Sequence, residues 1–395
     1  MAPDMETMIK KNSFQNKCEN ISVPYLIDST LRDGEQAPGV VFSVEEKLTI
    51  AKMLDEIGID EIEAGSPFIY HKEIDAIRKI VKAGLNSRIS CWSRARYDDI
   101  DAAVLTGAPG INISFPVSEI QLAAISKERE WIFQTMPDLV RYAQKRFKYV
   151  SLGAQDASRS NFNLLSDYLK LAEELGIYRV RIADTIGNLN PASTFDLISR
   201  LKLKLISGKM QLEFHGHNDL GMATANTVIA IQTGINCVSV TVNGLGERTG
   251  NAALEEVVMA MKHSMGIPIK YKTGQFSLLC NFVAQASKRK LHQMKPVVGE
   301  MAFKHESGIH TNSLLKNARS YQLFDAVEVG VKDKGFVFGS HSGSAALMNF
   351  LNQKSIKVKK EKALIILDKI KNISIRKKRG LTQTELEEVC CKIGL

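Results

Sequence analysis

The chain has 395 residues, enough for one large domain with an appendage and a sizeable buried core. Its 44% hydrophobic and 24% charged residues are ordinary for a globular protein. No apolar run approaches the ~20 residues that span a bilayer, so no membrane partner is expected. Formal net charge is +9, but twelve Lys or Arg against five Asp or Glu lie within residues 351–395, leaving the rest near balance.

The first twenty residues, MAPDMETMIKKNSFQNKCEN, lack an apolar h-region and carry acidic groups. They do not read as a secretory signal, and a disordered leader is expected over residues 1–23. From residue 24 to about 265, short β-branched runs alternate with longer amphipathic stretches. Strands are predicted at YLIDS (25–29), EIEAG (61–65), RISCW (88–92), INISF (111–115), YVSLGA (149–154), RVRIAD (179–184), LEFH (212–215) and VSVTV (238–242). Helical patterns lie between them, as in VEEKLTIAKMLDEIG (44–58) and LLSDYLKLAEELG (164–176), where Gly58 and Gly176 suit helix C-caps.

Eight strand–helix pairs within ~240 residues is the count of a (β/α)8 barrel, with an open doubly wound sheet as the alternative. Placement of the polar residues favours the barrel. Arg32, Asp33, Asp156, Asp184, Thr185, His215, His217 and Asn243 all end or follow strands, and a barrel gathers those ends on one face. After residue 265 the alternation stops. Residues 274–325 are expected to be largely helical and include EMAFKHESGIHTNSLL, with His305, Glu306 and His310 close together. Two more helical patterns follow at 361–371 and 382–394, the second opening on Thr382 three residues before Glu385, a capping box. The expected fold class is α/β, a TIM barrel over residues 24–265 with a mainly helical C-terminal extension over 266–395.

The six cysteines (18, 91, 237, 280, 390 and 391) form no CxxC pair, which leaves out zinc fingers and disulfide scaffolds. A reducing cytoplasm is the default, and Cys390 and Cys391 read as buried helix residues. The basic run IRKKRG has no interleaved aromatics, so it reads as a solvated helix face and no nucleic-acid partner is expected.

The chemistry-bearing signal is His215 and His217 in LEFHGHNDLG. Imidazoles at i and i+2 of an extended segment project to one side and offer two nitrogen ligands to one divalent ion. Alone, such a pair equally suits half-buried histidines that satisfy local hydrogen bonds. Asp33, in IDSTLRDGEQ (27–36) at the end of the first predicted strand, adds a carboxylate and turns the pair into a candidate site. That donor set suits several ions, Mg, Mn and Zn among them.

TLRDGEQ, HGHNDLGMATAN, NGLGERTGNAALEEV and VGEMAFKHESGIH, in this order, resemble the acyl-CoA-dependent branch of the metal-dependent TIM-barrel lyases. That branch holds homocitrate, isopropylmalate, citramalate and Re-type citrate synthases. The similarity runs from about residue 24 to 350 and more weakly to the end. VEEKLTIAKMLDEIGIDEIEAGSP, PVSEIQL and DASRS look most like the nitrogen-fixation type of homocitrate synthase. The resemblance implies an acyltransferase that joins the methyl carbon of acetyl-CoA to the ketone of a 2-oxo acid and then hydrolyses the thioester. The acid expected first is 2-oxoglutarate, giving homocitrate; oxaloacetate, pyruvate and 2-oxoisovalerate are the competitors.

The resemblance also implies roles for particular residues. Asp33, His215 and His217 would be metal ligands, with Asn251 a weaker oxygen ligand or, alternatively, a helix N-cap. Arg32 would stabilise a developing oxyanion, unless it is an ordinary ion-pair partner of Asp33. Gln36 would donate a hydrogen bond to substrate, and Thr185 would bind its carboxylate. His310 would reach the active site of a neighbouring subunit for acid–base chemistry, requiring at least a homodimer, with Tyr321 a further contact. Trp92 and Arg94 stand where substrate choice is set. Arg94 would pair with a distal carboxylate or else be a surface arginine.

The family pattern breaks at three positions. Gln155 in GAQDASRS stands where most relatives carry a glutamate, a candidate acid or base, and an amide cannot accept a proton at neutral pH. Either another group such as His310 moves the proton while Gln155 positions it, or the chain is a weakly active, non-catalytic or partner-dependent subunit. Asn312 replaces an aspartate. Ser340 replaces a lysine, which bears on a contact to CoA phosphate or an interface charge.

Overall fold

A computed structural model describes residues 22–205, 208–332 and 335–393. The expected leader therefore falls almost wholly outside the described residues. All eight predicted strands form: β1 (Tyr25–Asp28), β2 (Glu61–Glu63), β3 (Arg88–Arg94), β4 (Gly110–Pro116), β5 (Tyr149–Gln155), β6 (Arg179–Asp184), β7 (Gln211–Gly216) and β8 (Cys237–Val240). They pair in parallel and in sequence, and β8 returns to β1, with Tyr25 opposite Cys237 and Asp28 opposite Val240. The sheet is closed. An open doubly wound sheet is ruled out.

The helices between the strands are α1 (Val44–Ile57), α2 (His71–Lys82), α3 (Tyr97–Val104), α4 (Glu119–Ala124), α5 (Arg129–Gln144), α6 (Phe162–Glu174), α7 (Pro191–Lys202), α8 (Ala223–Gln232) and α9 (Leu254–His263). Their ends follow local chemistry. Ser43 and Glu46 form a reciprocal capping box at the start of α1, and Gly58 closes it at φ 95°, a left-handed conformation that favours glycine.

Side chains alternate along each strand, so one set faces the helices and the other the barrel axis. The first set is apolar and buried: Leu26, Ile62, Ile111, Ile113, Leu152, Val180, Ile182, Leu212, Phe214, Val238 and Val240. The second set is not the usual packing of branched aliphatics. It carries charge. Arg179 on β6 meets Glu61 on β2 at 2.8 Å and Glu213 on β7 at 3.1 Å. Arg181, one step up β6, pairs with the same Glu213 and with Glu63 at 2.9 Å. Glu63 in turn meets Arg32 at 2.6 Å. All six are buried. Burial on its own would raise the pKa of Glu63, but Arg181 and then Arg32 outweigh it and hold the carboxyl below its ordinary value.

The chain divides into two compact units between Lys290 and Leu291. The first closes with α10 (Phe276–Ala286). The second contains α11 (Gly308–Lys316), α12 (Ser344–Gln353), α13 (Lys360–Lys377) and α14 (Gln383–Cys391). Within 274–325, helix is confined to α10, α11 and short turns of 3-10 type; the stretch between them is irregular up to a short strand, Lys304–His305, that pairs in parallel with Gly335–Phe336, in keeping with Pro296 and with Gly299, where a Cβ would collide with the carbonyls of Gln293 and Lys295. Helix α12 was not anticipated from the sequence pattern. Leu347 and Leu351 of α12 share a core with Phe338, Ile366, Ile370 and Leu386. The capping box at Thr382 and Glu385 forms as expected. Of the adjacent cysteines, Cys390 is buried but Cys391 is exposed. In the basic segment, Lys377 and Arg379 pair with Glu385, and Lys354 pairs with Glu387. Among the described residues, no helix is long and apolar enough to cross a membrane.

Asp28, buried at the end of β1, accepts a hydrogen bond from the Thr30 amide at 2.9 Å. Burial, reinforced by Glu255 and Glu63, pushes its pKa up to about 7. Folding then raises proton affinity, so the Asp28 contribution to stability falls as pH rises from the ordinary aspartate range through about 7. Asp28→Asn removes this titration. The urea midpoint of the variant should change less between about pH 5 and about pH 8 than that of the wild type; an unaltered slope would assign the dependence to other groups.

Candidate active site

Immediately after β1 the chain turns back on itself. The amides of Arg32 and Gly34 both donate to the Ser29 carbonyl, and Gly34–Gln36 forms a single 3-10 turn. This turn presents Asp33 at the C-terminal mouth of the barrel. His215 is on β7, and His217 follows the strand, paired antiparallel with Asn251 in an isolated bridge. The three predicted ligands converge. Asp33 Oδ2 lies 3.6 Å from His215 Nε2 and 3.9 Å from His217 Nε2, and the two Nε2 atoms are 3.3 Å apart. All three residues are buried.

The electrostatics suit a cation. Burial depresses the pKa of both imidazoles, well below the ordinary histidine value at His215, so both are neutral with lone pairs to offer. Burial alone would raise the Asp33 pKa, but Arg32, the two histidines and the Asn251 amide together hold the carboxyl well below its usual range. His215 Nδ1 sits 3.1 Å from Ser239 Oγ on β8. An Nδ1–H donated there leaves the Nε2 lone pair for a metal. Asn251 Nδ2 donates to Asp33 Oδ1 at 2.8 Å and to the Leu245 carbonyl at 3.0 Å, while its buried Oδ1 has no hydrogen-bond partner. His217 Nδ1 is likewise buried without one. Gly246 makes room for this amide, because a Cβ there would overlap Asn251 Nδ2. One carboxylate, two neutral imidazoles and an orphaned amide oxygen fit a divalent metal ion.

The other predicted residues divide into two groups. Arg32 bridges Asp33 and Glu63 at 2.6 Å each, and its guanidinium carbon lies 5.6 Å from the Trp92 ring centroid. Thr185 Oγ1 accepts the Asp156 amide at 2.8 Å, and the Thr185 carbonyl accepts from Arg248. Gln155 ends β5, half-buried. The next residue, Asp156, takes a left-handed conformation (φ 62°) and is buried against Arg159 and Ser118. Gln36 is exposed beside Arg32, lining a depression with Glu35 and Tyr70. Arg94 is committed elsewhere, forked onto Asp99 at 2.8 and 2.9 Å and stacked over Phe68 at 4.1 Å. Its charge is already met.

His310 and Tyr321 belong to the second unit, where their rings stack at 4.0 Å. His305 lies near them; burial first, and then His310, lowers its pKa. Glu306 does not join this pair but accepts the His341 amide at 3.0 Å. Asn312 is exposed on α11.

Sequence reasoning missed Ser239, which orients His215, and the Glu63, Arg181 and Glu213 cluster beneath the site. Their signal was present: EIEAG, RVRIAD and LEFH each place a charge at alternate positions of an otherwise apolar strand.

Comparison with known proteins settles the family. A family model described as HMGL-like matches residues 23–283, and one described as homocitrate synthase post-HMGL domain-like matches residues 297–378. A 2-isopropylmalate synthase of Caldanaerobacter subterraneus is 42% identical over 92% of this chain and 94% of that protein. A homocitrate synthase of Nostoc is 42% identical over 91% and 94%. The chain belongs to the HMGL-like family, in its homocitrate and isopropylmalate synthase branch. A putative (R)-citramalate synthase of Archaeoglobus fulgidus is 39% identical over 90% of the chain and 72% of that protein. Among solved structures, an HMG-CoA lyase from Brucella melitensis superposes with a TM-score of 0.59 at 19% identity, covering 68% of this chain and 99% of the lyase. At that identity the likeness concerns the barrel fold alone. As a member of this synthase branch, the chain is an enzyme that condenses acetyl-CoA with a 2-oxo acid.

The ligand set generates a direct expectation. After removal of metal with a chelator and reloading with Mn²⁺, the wild type should retain about one ion per chain on dialysis, whereas Asp33→Asn and His215→Ala should each lose it, and Asn251→Ala should weaken binding about tenfold. Elemental analysis and equilibrium dialysis read the result; full retention in Asp33→Asn would place the metal elsewhere.

Proposed function

We propose that this chain condenses acetyl-CoA with a 2-oxo dicarboxylic acid, 2-oxoglutarate first, to give homocitrate and CoA. The observation that carries the choice of acid is the wall of the barrel formed by β3, β4 and β5. Its axis-facing positions include Ser90, Trp92, Asn112, Ser114, Ser151, Gly153 and Gln155, and no branched aliphatic side chain joins them. Asn112 donates to Ser151 at 2.9 Å, and a Cβ on Gly153 would sit 3.1 Å from both Asn112 Oδ1 and Ser114 Oγ. The isopropyl group of 2-oxoisovalerate gains little against such a surface. A second carboxylate gains hydrogen-bond donors. With Arg94 held by Asp99, hydroxyl and amide groups take the recognition role expected of that arginine.

Asp33, His215, His217 and Asn251 would hold a divalent ion, which supplies Lewis acidity to the ketone and its neighbouring carboxylate. Arg32, fixed between Glu63 and Asp33, directs positive charge at the oxygen that becomes an alkoxide. Thr185, whose Oγ1 already accepts the Asp156 amide, has its hydroxyl proton left to donate to the substrate carboxylate. In the reaction a methyl proton leaves acetyl-CoA, the methyl carbon bonds to the ketone carbon, and the ketone oxygen takes a proton. Water then cleaves the thioester and CoA departs. Gln155 cannot hold the transferred proton, so it orients substrate and His310 of a neighbouring subunit in a homodimer carries the acid–base step. Buried free thiols at Cys91, Cys237 and Cys280 suit a reducing cytoplasm.

Release of CoA from acetyl-CoA, followed with 2-oxoglutarate, oxaloacetate, pyruvate and 2-oxoisovalerate in parallel, should give the highest kcat/KM with 2-oxoglutarate. Preference for 2-oxoisovalerate sinks the assignment. If all four acids are silent and Gln155→Glu awakens turnover, the chain is the non-catalytic or partner-dependent subunit that its amide at this position suggests.

His310→Ala should cut kcat by about 10²–10⁴. Coexpression of His310→Ala with Asp33→Asn chains should restore about a quarter of wild-type activity, because a mixed dimer carries one intact site when the histidine acts across the interface. No recovery in isolated mixed dimers would place His310 in its own subunit's site.

A further inference from the structure

Lys47 is a lysine with nowhere to go. It lies on α1 with its side chain 2% exposed, and its ammonium sits 2.5 Å from Glu35 Oε2 and 2.5 Å from Glu73 Oε2. Lysine is seldom buried this deeply, and a buried ion cluster gains little stability over an apolar replacement of the same volume. Its ammonium is paired with Glu35 and Glu73 rather than with a metal ligand. What the cluster does have is connectivity.

Glu35 is in the turn that carries Asp33, and it divides its oxygens: Oε2 meets Lys47, while Oε1 accepts the Phe42 amide at 3.0 Å. Both ends of the loop from β1 to α1 are thereby held to the helix that follows. Glu73 opens α2 and is buried beside the loop after β2. Its carboxylate also accepts the Ser66 amide, and it fills the space at Gly65, where a Cβ would overlap Glu73 Oε1. Gly65 can leave that space because its φ of 151° suits glycine. Lys47 thus fastens the loop after β1, bearing Arg32, Asp33 and Gln36, to the loop after β2.

We propose that Lys47 is a positioning residue that clamps the first two strand–helix loops so that Asp33 is held facing His215 and His217. The inference rests on the metal-site reading above. Its action runs through Glu35 and the backbone of one short turn. Outer contacts that orient a metal-ligating carboxylate commonly set affinity by about 10–100-fold. A clamp acting one residue further out belongs at the lower end.

The test is Mn²⁺ titration of chelator-treated protein by calorimetry, with folding followed by circular dichroism. Lys47→Met keeps an unbranched side chain, one atom shorter, and removes its charge, and should weaken Mn²⁺ binding about tenfold while the barrel remains folded. Glu73→Gln leaves Lys47 paired with Glu35, and provides a milder break if Lys47→Met does not fold; a loss of about threefold is expected. With 2-oxo acid as variable substrate, both variants should raise KM more than they lower kcat. Rescue of KM by excess Mn²⁺ distinguishes loss of positioning from general loosening. Asp33→Asn is the control. If Asp33→Asn loses Mn²⁺ and folded Lys47→Met and Glu73→Gln bind it as tightly as wild type, the clamp is overturned and the metal site stands. If Asp33→Asn binds Mn²⁺ as wild type does, the metal-site reading itself fails, and the clamp with it.

Discussion

One column of alternating charge governs this molecule. Glu61, Arg179, Glu213, Arg181, Glu63, Arg32 and Asp33 follow one another through the axis of the barrel, each in contact with the next. Every one of them is removed from water, where an unpaired ion would cost several kcal/mol. The column therefore fixes the relative heights of β2, β6 and β7 more stringently than apolar packing would, because a one-step slip leaves buried ions without partners. It also fixes a charge. Four carboxylates against three guanidiniums leave one negative charge, and the column ends at Asp33 beside two neutral imidazoles. A divalent cation held there would turn the local charge positive, the sign that attracts a 2-oxo acid and stabilises an oxyanion.

The interior also explains which parts of the molecule could be read from sequence. Strands were legible because their helix-facing residues, Ile111, Ile113, Phe214 and Val238 among them, make unbroken alternation. The convergence of Asp33, His215 and His217 was legible because HxH on a strand points two rings to one side and the TLRDGEQ turn adds a carboxylate. The column itself was not assembled from sequence. Pairing of Arg179 with Glu61 spans 118 residues, and nothing local to either announces the other. Arg94 has a partner that the sequence pattern did not single out. Its position at the mouth of the barrel suited a substrate contact, but Asp99, five residues on, takes both arms of its guanidinium. Helix α12 and the irregular stretch before α11 were obscured by Gly, Pro and mixed polarity, where pattern gives way to tertiary contact.

Around Gln155 the surrounding structure is tightly built. Asp156 is held left-handed by Arg159 and Ser118, and its amide meets Thr185 across to β6. A glutamine amide beside this frame can donate and accept hydrogen bonds at once, which a carboxylate cannot. In the second unit, His310 and Tyr321 restrain each other by stacking ring on ring.

The same column has a consequence for how such a barrel can be divided. Cut between β4 and β5, the chain yields a first piece whose axial charges are Arg32, Asp33, Glu61 and Glu63, and a second whose axial charges are Arg179, Arg181 and Glu213. The first is net negative along its seam and the second net positive. Each piece alone exposes a stripe that water must solvate, and the excess charge of each meets its opposite in the other, through Glu61 with Arg179 and Glu63 with Arg181. The two half-barrels are therefore electrostatic halves as well as topological ones, and recombination of separately made halves would be steered by the charges that later disappear from view.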